Sequence, residues 1–195
     1  MKKWVLPLIL VLVIVLWGMN INNSAIGLQE DVSQAWADVE SSYQRRNDLI
    51  GNLVKTVQGA ADFERGTLKD VIDARAKATS ISIDPSNITP EQLQQFNQAQ
   101  SGLTSALSRL LVTVERYPDL KANQNFLNLQ SQLEGTENRV NVARDRFNEA
   151  VRPYNEYVRS FPRSLLAGPL GFKKMDYYKA EEGSEKAPDV NFEFD

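Results

Sequence analysis

Arg46, Glu137 and Arg144 are the residues whose type and position most invite a chemical reading. Each stands in a stripe that is otherwise largely apolar and spaced like one face of a helix. An unpaired buried ion costs several kcal/mol, so a charge on such a stripe must meet a partner or reach water. Glu137 and Arg144 lie about two helical turns apart on one face, and an antiparallel pairing brings Arg46 towards Glu137. Two roles follow. A polar layer fixes the register of the helices, as polar seam residues do in coiled coils. Alternatively, Arg46, Glu137, Asn138 and Arg144 line a pocket for a small ligand or cation. Ion-pair networks in long bundles are more often structural than catalytic, which favours the first role.

The rest of the chain narrows the chemistry further. Its 195 residues include no Cys and no His. Thiol nucleophiles, disulfides and zinc fingers are therefore excluded. Ser-His-Asp triads, imidazole bases and nearly all catalytic zinc sites go with them. Glu64 and Glu137 supply carboxylates, but two acids without a fixed oxygen cage are a poor hard-cation site. No phosphate loop of the Gly-x-x-x-x-Gly-Lys type occurs. Ser164 lacks the spacing of a Ser-Lys dyad. We therefore expect no catalytic residue, no metal and no cofactor, and a protein that is not an enzyme. The net charge of −3 and the absence of a basic patch also argue against nucleic acid as a partner.

The elements that carry these residues are helical throughout. Val32, Trp36, Val39, Tyr43, Arg46, Ile50, Leu53, Val57, Ala60 and Glu64 alternate spacings of four and three. A repeat of 3.5 residues held this long is a coiled-coil or long-bundle seam. Leu68, Val71, Ile72 and Arg75 extend it, with a break near Gly59–Gly66 as the weak point. Thr89 and Pro90 read as the N-cap and first turn of a second helix, which buries Leu93, Phe96, Leu103, Leu107 and Leu110. The run Tyr-Pro-Asp-Leu-Lys-Ala-Asn (117–123) is a tight connection in which Asp119 can cap the helix that follows. That helix repeats the first pattern from Phe126 through Leu133, Val140, Phe147, Val151 and Tyr154 to Phe161, with Pro153 kinking or ending it. The expected fold is all-α: an elongated antiparallel bundle of three to four long helices behind an N-terminal membrane helix.

That membrane helix is read from residues 4–19, which carry no charge. Such a run covers roughly 24 Å as a helix, slightly short of a bilayer core. Trp4 and Trp17 sit at its ends, where amphipathic rings anchor at the interfaces. A cleaved signal peptide is the competing reading, but no clean small-x-small cleavage triplet follows Met19. Lys2 and Lys3 precede the span and the first charges after it are Glu30 and Asp31. The positive-inside rule then leaves the N-terminus in the cytoplasm and the bundle on the extracytoplasmic side. The chain thus divides into an anchor over 1–22, a bundle over 23–165 and a tail over 166–195. The last twenty residues hold seven acids against two lysines, and the tail reads as acidic and disordered. Phe192 and Phe194 within it resemble a short docking motif.

Residues 32–59 and 115–162, with their Gln-Arg-Arg-Asn-Asp-Leu, Tyr-Pro-Asp-Leu-Lys-Ala-Asn and Glu-Gly-Thr-Glu-Asn-Arg runs, resemble the signature of the LemA family. The N-terminal span and Gly171–Phe172 match the same layout. Gly51 departs from it, standing where the family is expected to carry Pro. The resemblance implies a bacterial single-pass membrane protein with a long helical bundle, and it brings no activity and no catalytic residues. It singles out Arg45, Arg46, Asp48, Asn52, Tyr117, Pro118, Asn123, Glu134, Glu137, Asn138, Arg144 and Asn155 as candidates for register or contact. The functional expectation is a membrane-anchored interaction or scaffold module at the bacterial cell envelope. Its expected partners are the lipid bilayer, other envelope proteins and further copies of itself. The alternative is a small-ligand or cation receptor, or an enzyme, built on the Arg46–Glu137–Arg144 cluster.

Overall fold

The computed structural model describes residues 4–59 and 63–179. The molecule is all-α, with no strand among the described residues. Helix α1 runs unbroken from Val5 to Gln58, α2 from Arg65 to Thr79 and α3 from Pro90 to Val114. A single turn, α4 (Pro118–Lys121), leads into α5 (Gln124–Arg159), and a second short turn, α6 (Ser164–Ala167), follows. Helices α1 and α5 form a long antiparallel pair, and α2 and α3 fold as a hairpin against its far half. The described residues thus hold four substantial helices: α1 ends at Gln58 and α2 begins at Arg65, close to Gly59 and Gly66, which weaken a continuous helix.

Local chemistry explains the helix starts. Thr89 accepts from the backbone of Gln92 while the Gln92 side chain accepts from the Thr89 backbone, a reciprocal capping box with Pro90 in the first turn. The start of α5 differs from expectation. Asp119 falls inside α4, and the cap is Asn123, whose Oδ1 accepts from the amides of Asn125 and Phe126. The extra turn after Pro118 shifts the start downstream, and Asn is as good a cap as Asp. Helix α5 continues through Pro153 to Arg159 rather than ending there.

Two apolar cores stack along the long pair. One holds Trp36, Tyr43, Phe96, Phe147 and Tyr154; the other holds Ile50, Leu53, Leu103, Leu110 and Phe126. Trp36 is the hub of the first, meeting Phe96 and Phe147 edge-on at 5.5 and 5.3 Å between ring centres. Beyond the cores, every apolar side chain from Val5 to Leu16 is at least 49% exposed, Pro7 aside. This end of α1 is long and apolar enough to cross a membrane. Burial begins at Ile21 and Ala25, on the same unbroken helix.

The chain after Val158 departs from the expected boundary at 165. Residues 166–179 are packed onto the bundle, with Ala167, Met175 and Tyr178 buried in the first core. Gly171, at φ 92°, takes the left-handed conformation that turns the chain back along α5. An extended strap then runs antiparallel to that helix. Asn155 donates to the Met175 carbonyl at 2.8 Å and accepts from its amide at 2.9 Å. Asn148 does the same for Tyr178, at 3.0 and 2.7 Å. Seven residues of helix and three of extended chain both rise about 10 Å, so the two amides meet the strap in register. Residues 180–195, with Phe192 and Phe194, lie outside the described residues.

Candidate functional site

The seam charges sit where the two cores meet. Helix α1 passes from one core to the other between Tyr43 and Ile50, α3 between Phe96 and Ala99, and α5 between Val140 and Leu133. At that level the buried residues turn polar: Arg46, Asn47, Gln100 and Thr136. Arg46 donates to Thr104 Oγ1 at 2.9 Å and lies 3.4 Å from the Glu137 carboxylate. One guanidinium thus joins α1, α3 and α5. Its side chain is 6% exposed and that of Glu137 is 52% exposed, so the pair is buried at one end only.

Arg144 has different partners. Its guanidinium donates to Tyr43 Oη, and it stacks over the Tyr178 ring at 4.5 Å. Tyr43 and Tyr178 share a hydrogen bond of 3.1 Å between their hydroxyls. Burial, then the neighbouring Tyr43, push the Tyr178 phenol well above its ordinary range. The cation is held by two aromatic faces and a hydroxyl rather than by a carboxylate. The four residues proposed as one pocket therefore divide: Arg46 with Glu137, Arg144 with two tyrosines, and Asn138 exposed on α5.

The remaining candidates spread over three places. Arg45, Asp48 and Asn52 line a shallow polar groove on the outer face of α1 with Ser41 and Gln44. Asp48 lies 3.8 Å from Arg75, which also donates to the Asn47 carbonyl at 2.8 Å. Tyr117 packs on Phe63 with ring centres 4.8 Å apart, behind the turn that Pro118 begins. Asn123 is the α5 cap, and Glu134 accepts from Gln130 at 3.3 Å on an exposed face. Asn155, named by the resemblance, is one of the two clamps on the strap. Sequence reasoning missed its companion Asn148 and the aromatic partner Tyr178. A signal for the pair existed: Asn148 and Asn155 each follow a core aromatic, Phe147 and Tyr154, at one heptad's spacing. Among the described residues, no cluster of three or more acids gathers as a metal site would.

The LemA family model matches residues 35–192. Magnetosome proteins MamQ 1 and MamQ 2 of Paramagnetospirillum magneticum are each 26% identical over 180 residues, covering 84% of this chain and 66% of theirs. MamQ of Magnetospirillum gryphiswaldense is 27% identical over 173 residues, covering 80% of this chain and 64% of its own. Protein LemA of Metamycoplasma hominis is 22% identical over 154 residues, covering 79% and 67%. The chain thus spans slightly under two thirds of the length of the magnetosome relatives. The matched region contains the polar layer, the Arg144 cluster and the strap.

Proposed function

Because the chain belongs to the LemA family, we propose that it is a membrane-anchored helical module that organises other proteins at the bacterial cell envelope. The observation that carries this reading is the continuity of α1. One helix holds the apolar span, the Arg46 layer and the outer groove of Arg45, Asp48 and Asn52. A cleavage after Met19 would remove the membrane segment just before Ile21 and Ala25, which the bundle buries. A retained anchor is the economical alternative. Lys2 and Lys3 before the span favour a cytoplasmic N-terminus and an extracytoplasmic bundle.

The polar residues support an interaction role over a chemical one. Arg46 and Arg144 each direct a guanidinium nitrogen to partners within the chain, Thr104 and Glu137 for the first and Tyr43 for the second. Arg45 and Asn52 face outward on a surface of α1 that no other helix among the described residues covers. The partners that fit are other envelope proteins or a second copy of this chain, with the bilayer holding the module in place. A photo-crosslinking residue at Gln44 or Asn52 of the full chain tests this directly. Crosslinks to a partner protein or to a second copy are expected in cells. A partnerless monomer after gentle solubilisation and crosslinking would overturn the reading. Protease accessibility on spheroplasts tests the orientation, with digestion of the bundle the expected result.

A further inference from the structure

The end of the bundle nearest the apolar span carries a surface that the anchor alone does not explain. Leu166 of α6 approaches Gly18 so closely that a Cβ there would lie 3.9 Å from its Cδ1. Gly18 follows Trp17, the aromatic end of the span, and precedes the polar run of Asn20, Asn22, Asn23 and Ser24. That order of residues is the order of a bilayer boundary: acyl chains, aromatic belt, headgroups. With α1 crossing a bilayer, the turn from α5 into α6 would stand at headgroup depth.

Its side chains divide as such a position requires. Ala167 is buried and Leu166 half-buried against the bundle, while Phe161, Leu165 and Leu170 point outward at 81%, 63% and 44% exposure. Large apolar side chains gathered on one exposed turn mark a contact surface rather than a solvated loop. Charge distribution names the partner. Between Glu156 and Asp176 the chain holds four basic residues, Arg159, Arg163, Lys173 and Lys174, and no acid. All four are exposed, and Lys174 also lies 3.5 Å from the Asp176 carboxylate. Arg163 lies over the Tyr157 ring at 4.4 Å, which holds its guanidinium at the side of the turn. Apolar tips flanked by long basic side chains suit an interface, where the stems stay in the boundary and the heads reach lipid phosphates.

We propose that this turn is a second membrane contact: Phe161, Leu165 and Leu170 enter the boundary of the leaflet from which α1 emerges. Arg159, Arg163, Lys173 and Lys174 bind anionic headgroups around them. The inference rests on α1 being a membrane span. The bundle is then held at two points, α1 and the turn, and cannot swing freely about the end of α1.

The absence of Cys makes a clean test available. The full chain is reconstituted with one nitroxide at Leu165→Cys, Val11→Cys or Leu127→Cys, in phosphatidylcholine vesicles with or without phosphatidylglycerol. Accessibility to oxygen against a water-soluble nickel chelate reports depth. The label at 165 is expected to be several-fold more oxygen-biased than at 127, near the other end of α5, and more so in the anionic vesicles. Replacing Arg163, Lys173 and Lys174 together by Gln should abolish that lipid dependence. A water-exposed label at 165 beside an immersed one at 11 overturns the second contact alone. Water exposure at both overturns the span and the inference with it. Equal immersion in the two vesicle types overturns the electrostatic half.

Discussion

Arg46 and Glu137 share an ion pair but not an environment, and this asymmetry predicts how they respond to substitution. Removing Glu137 leaves a guanidinium inside the protein with Thr104 as its remaining partner. Removing Arg46 leaves a half-exposed carboxylate that water can serve. Glu137→Gln is therefore expected to cost about 1–3 kcal/mol, and Arg46→Met less than that, since well-packed apolar replacements of buried ions are often neutral. Urea unfolding of the two variants compares them; a larger loss from Arg46→Met would contradict the argument. Tyr178 gives a second prediction at this scale. Its phenol is raised above the ordinary value of 10.0, chiefly by burial. Above that pH an unfolded tyrosine releases its proton while the folded one keeps it. The unfolded state then binds fewer protons, and stability falls as pH rises. Unfolding midpoints should drop between neutral pH and pH values above 10, and Tyr178→Phe should flatten that drop.

The strap over 172–179 makes its prediction at the scale of an element. It has no internal hydrogen-bond ladder of its own, and Asn148 and Asn155 supply four of its bonds. Asn155→Ala leaves a buried amide and carbonyl of Met175 without partners, at about 1–3 kcal/mol. The Met175 and Tyr178 amides should be protected from hydrogen exchange in the parent chain and lose that protection in Asn148→Ala/Asn155→Ala. Retained protection would mean that packing of Met175 and Tyr178 alone holds the strap. This element also marks the limit of what the sequence makes legible. The helices announce themselves because Val32, Trp36, Val39 and Tyr43, or Phe126, Leu133 and Val140, repeat a spacing that only a helix turns into a face. The meeting of Arg46 with Glu137 follows from pairing two such faces. The strap repeats nothing: Met175 and Tyr178 acquire their meaning from two amides twenty and thirty positions away, and although the resemblance singles out Asn155, no local pattern ties either amide to the strap. Arg144 was visible as a seam charge, but its partner Tyr178 lies beyond any local pattern.

At the scale of the whole molecule, the polar layer divides one bundle into two cores. Leu110 is fully buried in the far core, among Val57, Leu103 and Leu107. Leu110→Ala should cost about 2–5 kcal/mol. Because Arg46, Asn47 and Gln100 interrupt apolar contact at the boundary, the loosening should concentrate in α2 and α3. Hydrogen exchange is expected to quicken there first while the strap amides stay slow, as partly independent cooperative units allow. Uniform quickening would show the cores to be one unit. The unbroken course of α1 also sets a distance. From Asn20 to Gln58 the helix rises about 57 Å along its own axis. With α1 anchored as proposed, whatever meets the α2–α4 end would do so at a stand-off built into the chain, measured from the bilayer like the height of a post. Deleting seven residues from each of α1 and α5 would shorten that post by about 10 Å while turning its faces by only about 20°.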